Sequence, residues 1–190
     1  MGDYNWISNG VCTVSEFLST HECEDFVKLA EASGFVDAPI NSTSGFTIRK
    51  DIRNNDRVVL DLPDRAVALW LRASDFVRHN YQGRKAIGLN ERFRFYRYEV
   101  NQRFDWHRDS CFERPNGERS LITVLIYLNQ GFVGGETSFN EPSINNGRQL
   151  DIVPQTGLAL FFDHPLLHKG QPVQSGRKYV LRTDVMYAPV

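Results

Sequence analysis

Two stretches in the first half of the chain place apolar residues at the 3.6-residue spacing of amphipathic helices. Ser19 to Glu22 has the pattern of a capping box, which predicts a helix that continues to about Ala32. Pro63 suits the first position of a second predicted helix, whose apolar stripe runs to about Arg78. The sequence therefore predicts two helices before the middle of the chain.

The segment between these helices, residues 38–57, is polar and rich in turn-forming residues. Residues 47–49 offer a short strand there, and residues 54–57 have the composition of a loop. Arg53 and Arg57 in this segment have two interpretations: they contact a substrate, or they pair with Asp51 and Asp56. The segment is a candidate determinant of specificity, although it contains no motif that identifies a ligand.

From residue 92 onward the pattern changes to short apolar or alternating runs typical of strands. Turn dipeptides at 116–117 and 146–147 separate some of them. Helices followed by many short strands predict a mainly β protein (α+β) with an antiparallel jelly-roll core braced by two or more helices. The predicted strands lie at 93–100, 121–128, 158–162 and 179–187.

Composition limits the kinds of protein that this chain can be. A length of 190 residues fits one domain, and a formal net charge of -1 disfavours nucleic acid as the main partner. Three cysteines without CxxC spacing are typical of reduced thiols. No apolar run is long enough to span a membrane, and no secretory signal is visible. These features predict a soluble cytoplasmic domain of unknown oligomeric state.

The main candidate for chemistry is His107 followed two residues later by Asp109, with His168 far along the chain. In an extended segment, residues two apart lie on one face, so His107 and Asp109 can bind one metal ion from the same side. A third ligand from a distant strand would complete a two-histidine, one-carboxylate face, which is typical of non-haem Fe(II) oxygenases. Alone, the His-x-Asp tripeptide is weak evidence for a metal.

Lys178 opens a predicted strand in which alternation puts Lys178, Val180 and Arg182 on one face. A buried cation on an inner sheet face is costly unless an anion meets it. A dicarboxylate would supply that anion. Lys178 is favoured over Arg182 for this role by alternation, and the choice between them stays open.

The second half of the chain, about residues 92–187, resembles the prolyl 4-hydroxylase type of 2-oxoglutarate- and Fe(II)-dependent oxygenase. The resemblance depends on the order and spacing of several motifs rather than on any one of them. In chain order these are Tyr98 nine residues before His107, His107-Arg108-Asp109, the apolar strand at 121–128, Gly134 to Phe139, Gly157 to Phe162, His168 to Val173, and Gly176 to Tyr179.

This resemblance implies a double-stranded β-helix core at 91–190, of the jelly-roll or cupin type, supported by helices and first strands in 1–90. It also implies that His107, Asp109 and His168 bind Fe(II), while Lys178 pairs with the far carboxylate of 2-oxoglutarate and Tyr98 donates a hydrogen bond to the same end. Arg182 remains the alternative anchor. O2 is the co-substrate, with ascorbate as a supporting reductant.

The implied activity is a dioxygenase that hydroxylates a C–H bond, with 2-oxoglutarate converted to succinate and CO2. A prolyl or other amino-acid residue of a protein or peptide is the expected substrate, and a free amino acid or small metabolite is the alternative. A non-catalytic, cupin-like metal- or ligand-binding module is the competing interpretation from another class. A third interpretation, oxidation of alkylated nucleic acid, is disfavoured by the near-neutral charge.

Three further residues or segments have open interpretations. Cys111 lies two residues beyond Asp109, so it is expected to face inward, as a small apolar filler or, less favoured, as a metal ligand. His164, followed by Pro165, is expected to be a solvated loop histidine. The long connection 110–119 is either a lid that contacts substrate or a merely solvated loop.

Overall fold

The computed structural model describes residues 3–8, 10–42 and 45–190. Two α-helices, α1 and α2, and two short 3₁₀ turns accompany the strands in this part of the chain. The helices are α1 (Thr20–Ser33) and α2 (Pro63–Ala73), and the 3₁₀ turns span Ser74–Phe76 and Asn145–Gly147. The strands are β1 (Tyr4–Ser8), β2 (Val11–Val14), β3 (Val36–Asp37), β4 (Ile40–Ser42), β5 (Gly45–Thr47), β6 (Asp56–Asp61), β7 (Asn80–Tyr81), β8 (Arg84–Leu89), β9 (Arg92–Tyr98), β10 (Phe104–His107), β11 (Arg119–Tyr127), β12 (Val133–Gly134), β13 (Thr137–Phe139), β14 (Leu150–Ile152), β15 (Ala159–Asp163), β16 (His168–Gly170), β17 (Val173–Ser175) and β18 (Lys178–Pro189).

Two antiparallel sheets make up the jelly-roll core. The major sheet has the strand order β1-β2-β15-β11-β18-β9-β6-β3, with β8 paired to the second half of β18 and β7 paired to β8. The minor sheet has the order β10-β16-β13-β14. β18 is central, because β11 pairs with one of its edges while β9 and then β8 pair with the other. The chain is therefore mainly β, as predicted.

The major sheet packs on both of its faces. On the outer face, Phe26 of α1 lies 6.3 Å from the ring of Phe93 and 5.9 Å from that of Phe95, in a core shared by both helices. On the inner face, a second apolar cluster draws residues from both sheets, including Tyr96 of β9, Phe139 of β13 and Phe162 of β15. The helices thus brace one side of the sheet and leave the other side to enclose a cavity.

The capping box predicted at Ser19 is present. The Glu22 backbone N–H donates to the Ser19 hydroxyl at 3.3 Å, and the Ser19 backbone N–H donates to the Glu22 carboxylate at 2.9 Å. The second helix also begins at Pro63 as predicted, but it ends at Ala73 and passes into a 3₁₀ turn. The expectation that it continues to Arg78 is wrong by several residues.

The four strands predicted in the second half of the chain are confirmed as β9, β11, β15 and β18, with ends shifted by one or two residues. The predictions for residues 38–57 are less accurate. The short strand lies at β5 rather than at 47–49, and residues 56 and 57 begin β6 rather than ending a loop. β6 pairs with β9 over its whole length, so the N-terminal half contributes strands to the same sheet. The division at residue 90 stays a prediction.

Candidate active site

His107, Asp109 and His168 come together between the two sheets. β10 and β16 are hydrogen-bonded neighbours in which His107 and His168 are directly opposite, with ring centroids 4.2 Å apart. Asp109 follows β10 and is held by its backbone N–H, which donates to the His164 carbonyl at 3.0 Å. The candidate ligand atoms of the three residues all lie within 4.8 Å of one another.

Each imidazole is held in one tautomer by the backbone. His107 Nδ1 lies 2.7 Å from the Asp105 carbonyl oxygen, and His168 Nδ1 lies 2.9 Å from the Leu166 carbonyl oxygen. A carbonyl oxygen only accepts hydrogen bonds, so both Nδ1 atoms carry the proton. Both Nε2 lone pairs are then free, each 3.8 Å from an oxygen of Asp109. Metal-binding histidines are typically oriented in this way.

Burial keeps both imidazoles neutral. It lowers the pKa of His107 to about 3, with a further contribution from His168. Burial also lowers the pKa of His168, an effect that Asp109 opposes. A neutral imidazole is the form that binds a metal ion, so the two histidines need not lose a proton first at neutral pH.

Asp109 is a buried, ionised carboxylate with a partner on each oxygen. Arg182 Nη1 donates to Oδ1 at 2.7 Å, and the hydroxyl of Thr123 donates to Oδ2 at 2.6 Å. Burial raises the pKa of Asp109, but Arg182 and the three neighbouring histidines together lower it by more, so that pKa lies below its usual range. Thr123 is a site residue that sequence reasoning missed, although a lone threonine within the apolar run 121–128 was a usable signal.

Lys178 lies at the other end of the cavity without a counter-ion. Its side chain is 3% exposed, and its ammonium donates to the Gly135 carbonyl oxygen at 2.6 Å. No carboxylate among the described residues lies within ion-pair distance of it, and burial lowers the pKa of Lys178 to about 7. Gly135 permits this approach, because its φ is +72° and a Cβ there would lie 3.1 Å from Lys178 Cδ.

The strand alternation predicted for β18 is confirmed. Lys178, Val180 and Arg182 line the cavity, whereas Tyr179 and Leu181 belong to the core beneath the helices. Arg182 differs from Lys178 because it is already paired, with Asp109 and with Asp184 at 3.1 Å.

Tyr98 also lines the cavity, near Lys178. It is directly opposite Lys178 in the β9–β18 ladder, and its ring centroid is 5.1 Å from the Lys178 ammonium. Burial raises the pKa of Tyr98 to about 12, so its hydroxyl keeps its proton and can donate it to an acceptor.

These residues fit an iron ion and a dicarboxylate. Two free Nε2 atoms and one carboxylate converge on a point, which leaves coordination positions open for other ligands. The buried ammonium of Lys178 lacks an anion, which a carboxylate at that end of the cavity would provide. The same cavity is lined by all six residues that the sequence singled out: His107, Asp109, His168, Lys178, Tyr98 and Arg182.

Two expectations near the site are wrong. Cys111 is exposed rather than inward-facing, because β10 ends at His107 and the alternation does not extend as far as residue 111. His164 is 4% exposed rather than solvated, because its turn folds inward and its backbone N–H donates to the Leu121 carbonyl at 3.1 Å. The His164 ring lies 3.5 Å from Asp184.

The connection 110–119 is held by contacts within it and by Arg84. Arg114 donates to Glu118 at 2.7 Å, Glu113 and Arg119 form an isolated bridge, and Arg84 donates to the Gly117 carbonyl at 2.7 Å. Its first residues line an outer groove that opens from the cavity. The structure therefore places the start of this segment beside the site.

Arg53 and Arg57 line the same outer groove. Neither pairs with Asp51 or Asp56, since Arg49 pairs with Asp51 at 2.6 Å and Arg97 pairs with Asp56 at 2.9 Å. The pairing interpretation of both arginines is therefore wrong.

Comparison with known proteins agrees with this geometry. Residues 93–183 match the family model of the 2OG-Fe(II) oxygenase superfamily. Prolyl 4-hydroxylase 5 of Arabidopsis thaliana is 28% identical over 200 residues, which cover 86% of this chain and 63% of the plant protein. The chain thus spans less than two thirds of that relative, and it spans 40% of a matching protein of Acanthamoeba polyphaga mimivirus.

Solved structures share the fold. A viral collagen prolyl hydroxylase from Paramecium Bursaria Chlorella virus-1, in complex with 2OG, superposes with a TM-score of 0.62 at 20% identity, covering 95% of this chain and 96% of that one. A prolyl hydroxylase from Trichoplax adhaerens, in complex with a hypoxia inducible factor peptide fragment, superposes with a TM-score of 0.68 at 18% identity, covering 93% and 83%. At these identities the likeness establishes the fold alone.

Proposed function

Because residues 93–183 match the family model of the 2OG-Fe(II) oxygenase superfamily, we propose that this chain is a member of it, a 2-oxoglutarate-dependent dioxygenase that hydroxylates a prolyl residue of a peptide or protein. One observation carries the proposal: two free imidazole nitrogens and a carboxylate converge at one end of a cavity, and an unpaired buried lysine lies at the other. A non-catalytic module would have no use for both features.

His107, Asp109 and His168 would hold Fe(II) through two Nε2 atoms and one carboxylate oxygen. Bound Fe(II), with 2-oxoglutarate and O2, would supply the oxidation that inserts one oxygen atom into a C–H bond while 2-oxoglutarate becomes succinate and CO2, and ascorbate would support it as a reductant. The backbone carbonyls of Asp105 and Leu166 fix the orientation of both rings before any ligand arrives. The two imidazoles are thus oriented in advance to bind a metal ion.

Lys178 is the better candidate of the two cations for the far carboxylate of 2-oxoglutarate. Arg182 is already paired with Asp109 and Asp184, whereas Lys178 has only a carbonyl as its acceptor. A dicarboxylate held by Lys178 would keep that lysine protonated, since the bound negative charge raises its pKa again. Tyr98 would donate a hydrogen bond to the same carboxylate. Arg182 would instead orient Asp109.

The outer groove supports a peptide as the substrate. It has a volume of about 510 Å³ and reaches the metal-facing side chains His107 and Asp109. An open groove of this volume admits an extended chain with one residue at the metal, whereas a free amino acid or small metabolite would fill only part of it. The activity of the plant and viral relatives named above agrees with a prolyl residue at that position.

The test is iron-dependent production of succinate from 2-oxoglutarate, with and without proline-containing peptides. Asp109→Ala and His107→Ala should each lose iron binding and activity while the protein remains folded, because each removes one of three ligands. Asp151→Ala, which changes an exposed aspartate outside the cavity, is the matched control. Full activity in either ligand variant, or an absence of iron-dependent succinate from the unmodified protein, would overturn the proposal.

A cytoplasmic location is the second part of the proposal. Cys12, Cys23 and Cys111 are all free thiols, as expected in a reducing compartment. No helix in the described ranges is long and apolar enough to cross a bilayer. Fractionation of cells that express the protein tests the location directly.

A further inference from the structure

The outer groove around the mouth of the cavity is strongly cationic, although the whole chain has a net charge of -1. Asp109, at the metal-facing end, is its single carboxylate among the described residues. Six arginines contribute to its walls: Arg53, Arg57, Arg92, Arg94, Arg108 and Arg182. A concentration of one charge at the entrance to a site raises the local concentration of ligands of the opposite charge.

Four of these arginines are neutralised by the protein itself. Arg94 pairs with Asp184 at 3.0 Å and Arg92 pairs with Asp61 at 3.2 Å. Arg108 pairs with Glu141, and Arg182 pairs with Asp109. Their charges are needed for these internal contacts, so they contribute little free positive charge to a ligand.

Arg57 is different. Its side chain is half-buried on β6, and the guanidinium makes no hydrogen bond or ion pair with any residue that the structure describes. Burial lowers its pKa, Tyr96 partly opposes this shift, and the neighbouring arginines Arg53, Arg94 and Arg92 add to it. A partly desolvated guanidinium among like charges is costly unless an anion is bound beside it.

Arg53 is fixed rather than mobile. It is 5% exposed, with its guanidinium 4.5 Å from the ring centroid of Tyr96 and 4.3 Å from that of Phe104. Its Nε donates to the Asn55 side-chain oxygen at 2.8 Å, but its Nη2 is buried without a hydrogen-bond partner. This nitrogen is thus a buried donor in the groove wall that no protein acceptor satisfies.

We propose that the groove binds an acidic segment of the peptide substrate, with Arg57 and Arg53 pairing with its carboxylates while the segment delivers the hydroxylated residue to the metal. This inference deepens the function proposed above and depends on it. The groove wall also contains apolar side chains, among them Pro39, Ile40, Phe46, Ile52 and Phe112. A mixed apolar and cationic wall suits a peptide better than a nucleic-acid backbone, whose contacts are mainly phosphate to basic side chains.

The experiment measures binding without turnover, by fluorescence anisotropy of labelled peptides with the protein loaded anaerobically with Fe(II) and saturating 2-oxoglutarate. One peptide has a central proline flanked by glutamates, and its partner has glutamines at the same positions. The glutamate peptide should bind at least about tenfold more tightly, because charge-assisted hydrogen bonds to arginine are the stronger kind. The advantage should fall as salt concentration rises.

Arg57→Gln should reduce the affinity for the glutamate peptide to about that of the glutamine peptide, whereas Arg57→Lys should keep much of the preference. Arg148→Gln is the matched control, since it removes the same charge from an exposed arginine outside the groove. Melting curves show whether each variant is folded. If Arg57→Gln does not fold, the comparison of the two peptides on the unmodified protein decides alone.

Equal binding of the two peptides, or an unchanged preference in a folded Arg57→Gln variant, would overturn the inference. Tighter binding of a single-stranded oligonucleotide than of the glutamate peptide would overturn it in favour of nucleic acid. Succinate production is measured separately, so failure of the proposed function is distinct: iron-dependent turnover without an acidic preference contradicts the inference alone, and an acidic preference without turnover contradicts the function alone.

Discussion

The two faces of β18 and β9 differ in what their side chains do, although both faces are buried. The outer face places Phe93, Phe95 and Leu181 in the apolar core beneath the helices. The inner face of the same strands carries Tyr98, Lys178 and Arg182 around the cavity. The outer face therefore supplies stability through burial of apolar surface, while the inner face gives up stability for charges that a ligand can meet.

Lys178 and Arg182 extend this contrast to a single face. They are four residues apart on one strand, but Arg182 contacts two carboxylates of the protein and Lys178 contacts none in the described ranges. The ion pairs of Arg182 are therefore complete within the protein and have a structural role. A cation left with a carbonyl acceptor indicates that its anion comes from outside.

Removal of Lys178 should give the largest effect on ligand binding. Lys178→Met should weaken 2-oxoglutarate binding by roughly a hundredfold or more, because loss of one partner of a buried ion pair costs about 3–5 kcal/mol. Calorimetric titration of the anaerobic Fe(II) protein measures the change. Lys169→Met, a neighbouring lysine whose ammonium lies over Trp106 outside the cavity, is the control. Unchanged affinity in Lys178→Met would give the anchoring role to Arg182.

Shortening a side chain on the outer face should lower the stability of the protein rather than its affinity for 2-oxoglutarate. Phe95 is 1% exposed, and Phe95→Ala should lower the free energy of unfolding by about 3–5 kcal/mol. Chemical denaturation measures this loss. Phe104→Ala is the counterpart across the cavity, on β10 of the minor sheet, since Phe104 stacks on His107 with centroids 3.5 Å apart and is only half-buried. Phe104→Ala should lose less stability and more iron affinity than Phe95→Ala. The reverse ranking would contradict the difference between the two positions.

The charge on Lys178 should also make stability depend on pH. Its pKa is about 7 in the folded protein, against 10.5 for a lysine that is exposed to water. Below pH 7 both the folded and the unfolded state hold the proton, and the full cost of burying the charge is present. Between about pH 7 and 10.5 the folded state releases the proton first, so stability should rise with pH, by up to about 1.4 kcal/mol per unit.

The comparison that isolates this effect is Lys178→Met against the unmodified protein, without 2-oxoglutarate, in urea unfolding at several pH values. The variant should be the more stable of the two near pH 7, and its advantage should shrink as the pH rises. A constant difference across this range would mean that Lys178 is already uncharged or well solvated.

Tyr98→Phe should have the smallest effect. It removes one hydroxyl from the inner face without changing the packing of the ring, so the affinity for 2-oxoglutarate should fall by roughly 2- to 10-fold, the usual value of one hydrogen bond. Tyr179→Phe, whose hydroxyl donates to Glu31 on the outer side, should leave that affinity unchanged. Equal effects of the two changes would exclude a ligand contact for Tyr98.

Much of the site could be predicted because its residues lie on strands whose alternation is visible in the sequence. The face shared by Lys178, Val180 and Arg182 is an example. The meeting of His107 with His168 depended on motif order and spacing, since pairing between distant strands leaves no local signal. That the two rings meet in adjacent strands is seen only in the fold.

Other features could not be predicted for the same reason. Arg57 was placed in a loop because residues 54–57 have the composition of a loop. Its strand partner β9 lies far along the chain, so the local sequence does not reveal the pairing. His164 was expected in solvent since its turn residues are polar, but long-range backbone contacts fold the turn inward. Cys111 was expected to face inward by extending the strand alternation, but the strand β10 ends before that residue. In each case the tertiary partner, rather than the local sequence, decides burial.

The position of β18 has a consequence for synthesis of the chain. This strand comes after every other described strand in sequence, and yet it sits in the middle of the major sheet, between β11 and β9. While a ribosome is still making residues 178–189, the edges of β9 and β11 that will pair with β18 have no partner. These edges can then pair with another nascent chain. Completion of the major sheet must therefore wait until β18 has left the ribosome, and a chaperone that shields those edges would raise the yield of active protein.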